Sequence, residues 1–398
     1  MFSELQSRFQ TQYGATSSSE VFAPGRINLI GEHIDYCGGQ VLPITIQYGT
    51  WCVGTLNATG KLRIASTRFD ETVEQDLSAL HRTDRNSWAN YPIGVINSYL
   101  HAGAEAEGLD LLFGSDVPGG GLSSSASFTV ATALIMQSLT GYSFSSNWQK
   151  ARWKIAQLCQ QVENEFVGVN CGIMDPAVIA LARGMNALRI DCADPDNEFH
   201  KIDYIHTDIG SYRIVIMNSG KERELAASAY NQRVAEIQQI RELLSEKMEL
   251  SHLCELGIDD LAMVRQLISD GTLQRRCTHV VSENQRVTDA AEALRRGNTR
   301  RLGELMCLSH KSLSEDYEVS GFELDELVNA SMQQDGVLGA RMTGAGFGGC
   351  AIALVHTDAI AAHNERVRER YMGKCDYHPA FFTVQIGSSC LAGDESNG

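Results

Sequence analysis

The sequence lacks a long hydrophobic run, a basic flank at its start and an excess of positive charge. No stretch of about 18 apolar residues occurs, so we expect no membrane-spanning helix, and the first residues do not resemble a secretory signal. Acidic residues number 49 against 33 basic ones, for a net charge of -16, which argues against a nucleic-acid partner. These absences predict a cytoplasmic protein that binds neither membrane nor nucleic acid.

The cysteines lack the spacing of a metal site or a redox motif. The 11 cysteines are scattered from Cys37 to Cys390, and none forms a C-x-x-C pair. A chain of 398 residues that is 43% hydrophobic can bury a large core without disulfides. We therefore expect reduced cysteines, most of them small core residues.

No repeat, low-complexity tract or proline-rich linker divides the chain. Its length favours two cores that meet at a cleft, with a boundary near residue 205 and domains 1–205 and 206–398. Strand-like and helix-like runs alternate irregularly, which predicts the α+β class. The strand-like runs are 41–46, 51–56, 61–65, 212–217, 350–355 and 381–386, and the helix-like runs include 122–139, 150–165 and 226–250. No coiled-coil heptad indicates an oligomer, so we expect a monomer.

The strongest local signal is a glycine and serine cluster that precedes a helix-like run. It reads Asp116-Val-Pro-Gly-Gly-Gly-Leu-Ser-Ser-Ser-Ala126. Glycines let a backbone approach a phosphate closely, and a helix N-terminus adds partial positive charge. The Gly-Lys-Ser/Thr ending of a Walker A loop is absent. The cluster predicts another kind of phosphate cradle; the alternative is a glycine-rich turn followed by an ordinary serine cap.

A second glycine cluster reads Gly339-Ala-Arg-Met-Thr-Gly-Ala-Gly-Phe-Gly-Gly-Cys350 and leads into an apolar strand-like run. It fits a second wall of a nucleotide site. It fits equally a glycine-rich hairpin that packs closely against its neighbours.

A third cluster, residues 23–39, places charged side chains among turn residues. Glu32, His33 and Asp35 can hydrogen-bond several sugar hydroxyls at once. Arg26 can stabilise a phosphoryl group in transfer. The alternative is a solvated loop with a local ion pair.

In chain order, residues 23–39, 116–126 and 339–350 resemble the three signature motifs of the GHMP kinases, and the cluster at residues 23–39 is similar to the galactokinase signature. Segments 162–175, 224–231 and 309–320 also resemble galactokinase segments, so the resemblance covers nearly the whole chain. It implies a two-domain GHMP kinase fold with mixed β-sheets flanked by helices and an active-site cleft between the domains. The implied activity is ATP-dependent phosphorylation of the anomeric C1 hydroxyl of galactose.

The resemblance also implies residue roles. Asp175 would be the catalytic carboxylate, with Arg26 beside it. Ser125 and Glu163 would hold Mg²⁺. The implied sugar-binding residues are Glu32, His33, Asp35, Gly172 and Tyr230. The implied nucleotide-binding residues are Gly119, Gly120, Gly121, Leu122, Ser123, Ser124, Ser125 and Ala126.

Three departures from the galactokinase pattern leave alternatives open. Pro176 stands where a Gln usually follows the catalytic Asp, and the second Arg usual after the Tyr-Asn pair is missing. Ile34 and Cys37 resemble the N-acetylgalactosamine kinase branch. The alternatives are a kinase for N-acetylgalactosamine or galacturonate, and a catalytically weak sensor of sugar and ATP.

Overall fold

The structure is a computed structural model that describes residues 1–84, 87–118, 121–193, 202–221 and 226–392. Within these ranges the chain forms 11 α-helices and 13 β-strands. The helices are α1 Phe2–Tyr13, α2 Asn90–His101, α3 Ser124–Thr140, α4 Trp148–Gln161, α5 Met174–Leu181, α6 Ala226–Ser245, α7 Leu261–Leu267, α8 Gly271–Arg295, α9 Thr299–Glu315, α10 Phe322–Met332 and α11 Ile360–Met372. The strands are β1 Ser19–Asn28, β2 Gln40–Val41, β3 Pro43–Leu56, β4 Lys61–Ser66, β5 Phe69–Asp76, β6 Leu109–Ser115, β7 Asn186–Asp191, β8 Ile202–His206, β9 Tyr212–Asn218, β10 Val337–Thr343, β11 Cys350–His356, β12 Ala380–Thr383 and β13 Leu391–Ala392.

The strands form three sheets. A six-stranded sheet has the order β13-β1-β3-β6-β4-β5, a four-stranded sheet the order β10-β11-β9-β12, and a three-stranded sheet the order β2-β7-β8. The first sheet is mixed, since β4 and β6 run parallel while its other pairs are antiparallel. Helices cover these sheets, and α3 packs on β1 and β3 with most of its surface buried.

One hydrophobic cluster runs through both halves of the chain, from Val21 to Val384. The boundary at residue 205 falls at the end of β8, and β13 returns from the end of the chain to pair with β1. The two domains 1–205 and 206–398 stay a prediction.

Most of the strand-like and helix-like runs lie in elements of the expected type. The runs 41–46 and 51–56 belong largely to one 14-residue strand, β3. The expectation of turn residues at the start of the third cluster is wrong, because β1 extends through Pro24 and Gly25 to Asn28. A register shift between Pro24 and Arg26 accommodates the proline within the β1–β3 pair.

The 11 cysteines are all free thiols, and 6 of them are buried. In the part of the chain that the structure describes, no helix is both long and apolar enough to cross a membrane.

Candidate active site

A cavity of about 300 Å³ lies where the two halves of the chain meet. Its walls come from the end of β1, the segment after it, the segment before α5, helix α6 and the β10–β11 connection. It brings together all the residues that the sequence predicts for catalysis and sugar binding: Arg26, Glu32, His33, Asp35, Gly172, Asp175 and Tyr230.

Arg26 and Asp175 form a two-point ion pair in this cavity. The Nε and Nη2 atoms of Arg26 donate to the two carboxylate oxygens of Asp175 at 2.7 and 2.6 Å. Arg26 extends from β1 and is 4% exposed, whereas Asp175 lies in the first turn of α5 with its side chain 25% exposed. A paired but accessible carboxylate can accept a proton from a bound hydroxyl.

Ser123 is a third partner of this pair, and sequence reasoning missed this contact. Its hydroxyl donates to Asp175 Oδ2, and its backbone is left-handed at φ 59°. From the sequence, Ser123 is predicted only to bind the nucleotide. The sequence pattern does not reveal that the Ser123 side chain points away from α3, the helix that follows it. A non-glycine residue with positive φ is strained, and such residues cluster at functional sites.

The backbone next to Ser123 is held against β1. Arg26 donates from Nη1 to the Gly121 carbonyl at 2.9 Å and from its backbone N to the Leu122 carbonyl at 3.2 Å. Gly121 has φ 104°, a conformation that favours glycine. Gly119 and Gly120 lie outside the described residues.

The N-terminus of α3 has the features of an anion site. Its N-cap Ser123 forms no side-chain hydrogen bond to the first turn, so the free N–H groups of that turn can bind a phosphate. Ser124 is exposed, Ser125 half-buried and Ala126 buried. The ordinary serine cap, the alternative considered from the sequence, is therefore wrong.

Glu163 and Ser125, the predicted Mg²⁺ ligands, lie in hydrogen-bonding contact. Glu163 lies in a π-helical turn, Val162–Val167, that continues from α4 and directs its carboxylate inward. Burial raises the pKa of Glu163 to about 7, against the opposite effect of its bond to Ser125. No group of three or more His, Cys, Asp or Glu side chains among the described residues could hold a metal. The Ser125–Glu163 pair, with oxygen ligands and one carboxylate, fits a Mg²⁺ ion that takes its other ligands from phosphates and water.

Glu32 links the end of β1 to the end of β10. One carboxylate oxygen accepts from Thr343 Oγ1 at 3.0 Å and the Gly344 amide at 2.7 Å, and the other accepts from Asn28 Nδ2 at 3.1 Å. Arg341 lies 3.6 Å away and is fully buried. The solvated loop considered from the sequence is therefore wrong, since Glu32 is 2% exposed.

His33 is a neutral, buried imidazole with φ 61°. Burial and the nearby His279 lower its pKa to about 3. Its Nε2 donates to the Ala345 carbonyl at 3.1 Å, since a carbonyl can only accept, and its Nδ1 lies 2.9 Å from the Tyr36 hydroxyl. A sugar hydroxyl that bonds to His33 must therefore displace one of these partners.

Asp35 and Gly172 approach each other across the cavity. A Cβ atom at Gly172 would lie 1.6 Å from Asp35 Oδ2, so any larger residue there would displace the Asp35 side chain. Burial and the negative charge of Asp175 raise the pKa of Asp35 to about 7. Tyr230 of α6 closes this side, with its ring centre 5.6 Å from that of His33.

The second glycine cluster is a hairpin that lines this cavity. Strands β10 and β11 pair antiparallel, and Gly344 and Ala345 at their connection line the cavity. A Cβ atom at Gly339 would lie 2.1 Å from the Gly303 carbonyl of α9, so close packing requires this glycine.

Three family models match the chain. A galactokinase galactose-binding signature matches residues 7–56, the N-terminal domain of the GHMP kinases matches residues 90–183, and their C-terminal domain matches residues 290–371. The galactokinase of Staphylococcus carnosus (strain TM300) is 40% identical over 97% of this chain and 98% of its own length. The chain belongs to the galactokinase family. The galactokinase of Enterococcus faecalis (strain ATCC 700802 / V583) is 42% identical over 96% of this chain and 97% of its own length.

The galactokinase family membership agrees with the fold. A solved structure of Lactococcus lactis galactokinase complexed with galactose is 38% identical, covers 98% of this chain and 99% of its own, and has a TM-score of 0.92. Methanococcus jannaschii mevalonate kinase, 19% identical over 94% of this chain and 99% of its own, has a TM-score of 0.64 and shares the fold. The predicted α+β GHMP kinase fold is confirmed, and the chain is a sugar kinase whose family uses ATP.

Two of the three departures from the galactokinase pattern lie at buried positions. Pro176 is the third residue of α5, where a backbone N–H has no partner within a helix, and the first bond of the helix runs from Ala177 N to Ile173 O at 3.1 Å. Ile34 and Cys37 are buried and do not line the described cavity.

Arg233, the arginine that this chain does have after the Tyr-Asn pair, has a structural role. Arg233 donates to the backbone carbonyls of Tyr317 and Glu318 at 2.8 and 3.1 Å, and pairs with Glu236 at 3.1 Å. It therefore holds α6 against the segment that follows α9.

Proposed function

We propose that this chain transfers the γ-phosphoryl group of ATP to the C1 hydroxyl of galactose, giving α-galactose 1-phosphate and ADP. The observation that carries the proposal is the Arg26–Asp175 ion pair in a cavity where the predicted sugar residues converge. The 38% identical Lactococcus lactis enzyme with galactose supports this choice of sugar.

The reaction places two demands on the ion pair. As the C1 oxygen bonds to phosphorus and the bond to ADP breaks, Asp175 accepts the hydroxyl proton. Arg26 holds that carboxylate by two hydrogen bonds before transfer and offsets negative charge on the phosphoryl group during it. The hydroxyl of Ser123 fixes the orientation of the carboxylate.

The phosphates would bind at the N-terminus of α3, along Gly121–Ala126, with Gly119 and Gly120 completing the predicted loop. Ser125 and Glu163 would hold Mg²⁺, which when bound neutralises phosphate charge. Glu163 would hold the cation in its ionised form, because a protonated carboxyl group is a poor metal ligand.

Glu32, His33, Asp35, Gly172 and Tyr230 are the proposed sugar contacts. A buried polar group left without its hydroxyl partner costs about 1–3 kcal/mol, so several such contacts can distinguish epimers. A kinase for N-acetylgalactosamine or galacturonate is less well supported, because Ile34 and Cys37 are core residues. The sensor alternative is disfavoured by the complete Arg26–Asp175 pair.

The deciding experiment is ADP release with Mg-ATP on galactose, N-acetylgalactosamine, galacturonate, glucose and arabinose, with the Asp175→Asn variant as control. We expect turnover on galactose that falls by about 100-fold or more in the variant. Silence on galactose, or full turnover by the variant, contradicts the proposal.

The cytoplasmic location, the monomeric state and the absence of a nucleic-acid partner stay predictions from the sequence. Size-exclusion chromatography with light scattering tests the monomer.

A further inference from the structure

Helix α8 lies behind the segment Ile30–Gln40, named here the sugar loop, which carries Glu32, His33 and Asp35. His279, Glu283 and Val287 are spaced four residues apart on α8 and therefore share one face. All three are 0% exposed. A Cβ atom at Gly31 would lie 2.9 Å from Val287 Cγ2, so helix and loop are in direct contact.

Two of these α8 side chains hold consecutive residues of the sugar loop by their main chain. The Gly31 amide donates to Glu283 Oε1 at 2.9 Å, and His279 Nε2 donates to the Glu32 carbonyl at 3.1 Å. Because a carbonyl can only accept, the proton of His279 is on Nε2. The same helix thus holds the main chain at two points, one before and one after the Glu32 Cα atom.

A third α8 side chain holds the far end of the loop. Asn284 Oδ1 accepts from the Gln40 amide at 2.9 Å, and its Nδ2 donates to the Cys254 carbonyl at 3.3 Å. Asn284 is half-buried. The sugar loop is therefore bonded to α8 near both of its ends.

The α8 side chains are themselves held in place. Glu283 also accepts from Ser309 Oγ at 2.6 Å and Arg286 Nε at 2.7 Å. Although burial acts in the opposite direction, Arg286, His279 and Arg341 lower the pKa of Glu283 to about 2, so it is ionised. His279 Nδ1 lies 3.0 Å from Ser312 Oγ. The ionised Glu283 carboxylate and the fixed N–H group of His279 therefore form hydrogen bonds of defined direction to the sugar loop.

We propose that His279, Glu283 and Asn284 are positioning residues that fix the main chain of the sugar loop, and through it set the affinity and epimer selectivity for the sugar without touching it. None of the three lines the described cavity. Their hydrogen bonds go to the sugar loop and to the residues that hold these three side chains in place, rather than to residues 121–126. The three residues therefore act on sugar binding and leave nucleotide binding unchanged. The identity of the sugar rests on the proposed function.

The test compares three variants of buried histidines. His279→Leu removes the donor to Glu32, and His279→Gln keeps an amide donor near the position of Nε2. His363→Leu is the matched control, since His363 is buried and bonded to Ser331 Oγ at 2.8 Å on the far helices α10 and α11. The Michaelis constants for galactose and for Mg-ATP, and the ratio of kcat/KM for galactose and glucose, are measured for each.

We expect His279→Leu to raise KM for galactose about tenfold, since one buried hydrogen bond and the carbonyl it satisfied are lost. His279→Gln should restore most of this loss, and His363→Leu should leave KM for galactose unchanged. KM for Mg-ATP should be unchanged in all three. Equal effects of His279→Leu and His363→Leu, or equal effects on both substrates, overturn the proposal.

Hydrogen–deuterium exchange separates this proposal from the proposed function, because it requires no turnover. Peptides covering residues 29–41 should exchange faster in His279→Leu and in the milder variant Asn284→Ala than in the wild type or His363→Leu. If the wild type does not phosphorylate galactose but this acceleration is seen, the proposed function is wrong and the positioning role stands. Unchanged exchange of these peptides in both variants overturns the proposed positioning role.

Discussion

At the residue scale, the catalytic carboxylate depends on a serine in a strained conformation. Asp175 accepts from Arg26 twice and from Ser123 once. Ser123 achieves this only with its backbone at φ 59°, which glycine adopts without strain. The hydroxyl and the backbone conformation at this position therefore contribute separately to activity and stability.

Two substitutions of Ser123 separate these contributions. Ser123→Ala and Ser123→Gly both remove the donor to Asp175, so we expect kcat to fall by about tenfold in each. Ser123→Gly should unfold at the higher temperature of the two, by roughly 2–4 °C, because it relieves the positive φ. Steady-state kinetics and thermal unfolding measure both effects. Wild-type kcat in Ser123→Gly would show that the hydroxyl has no part in turnover.

Asp35 destabilises the fold when it is ionised. Its pKa is about 7 in the folded protein against an ordinary 3.8, because of burial and the charge of Asp175. The folded state therefore binds this proton more tightly than the unfolded state does. The stability that the bound proton contributes is complete below about pH 4 and is lost as the pH rises through about 7. Asp35→Asn cannot ionise, so we expect it to be inactive but roughly 5 °C more stable than the wild type at pH 8.

The pH dependence checks the sign of this effect. The difference in unfolding temperature between Asp35→Asn and the wild type should shrink as the pH falls from 7 and vanish below about pH 4. Asp259→Asn, a change of an exposed aspartate, is the control. A difference that grows at low pH would mean that ionised Asp35 stabilises the fold.

The site residues were predictable to different degrees. Arg26 and Asp35 lie in a local motif whose residue types match phosphoryl transfer and hydroxyl recognition, so the sequence predicts them. The role of Asp175 was implied only by the resemblance of residues 162–175 to galactokinase segments. The bond from Ser123 to Asp175 and the support from His279 and Glu283 were not predictable. They depend on one backbone angle and on a helix more than 240 residues away, and neither leaves a local pattern.

At the element scale, the start of α5 tolerates an unusual proline. Pro176 is buried in the first turn, directly after Asp175, at a position where no helix hydrogen bond is lost. The proline therefore affects the packing of the helix more than the orientation of the carboxylate.

We expect Pro176→Ala to keep kcat within about threefold of the wild type, because alanine preserves the helix. It should unfold at a slightly lower temperature, since the unfolded chain gains freedom. Steady-state kinetics on galactose with Asp175→Asn as the inactive reference measures the first effect. A loss of tenfold or more in kcat would mean that the proline ring positions Asp175.

Elements were easier to predict than their boundaries. The run 122–139 predicts α3, which begins at Ser124, because buried aliphatic residues and a preceding glycine cluster mark both its core and its start. Strand β1 was not predicted, since Pro24 and Gly25 read as a turn. Its long pairing with β3 outweighs their low strand propensity.

At the scale of the whole molecule, the two halves share one core. The hydrophobic cluster is continuous across the predicted boundary at residue 205, and Glu32 bonds to Thr343 and Gly344 from the other half. The two halves are therefore expected to lose their structure together.

We expect one cooperative thermal transition, with a calorimetric enthalpy equal to the van't Hoff enthalpy. Differential scanning calorimetry measures both, and galactose and Mg-ATP should each raise the midpoint because they bind the folded state. Two resolved transitions, or stable folding of residues 1–205 alone, would contradict a shared core.

The bonds between α8 and the sugar loop bear on how a new sugar preference can be selected in the laboratory. A library restricted to cavity-lining positions changes which groups face the sugar, but it keeps the main chain where α8 places it. If positions 279, 283 and 284 are also varied in the library, the main chain of the sugar loop can shift by small steps. Sugars of a different shape can then bind beside the same catalytic pair.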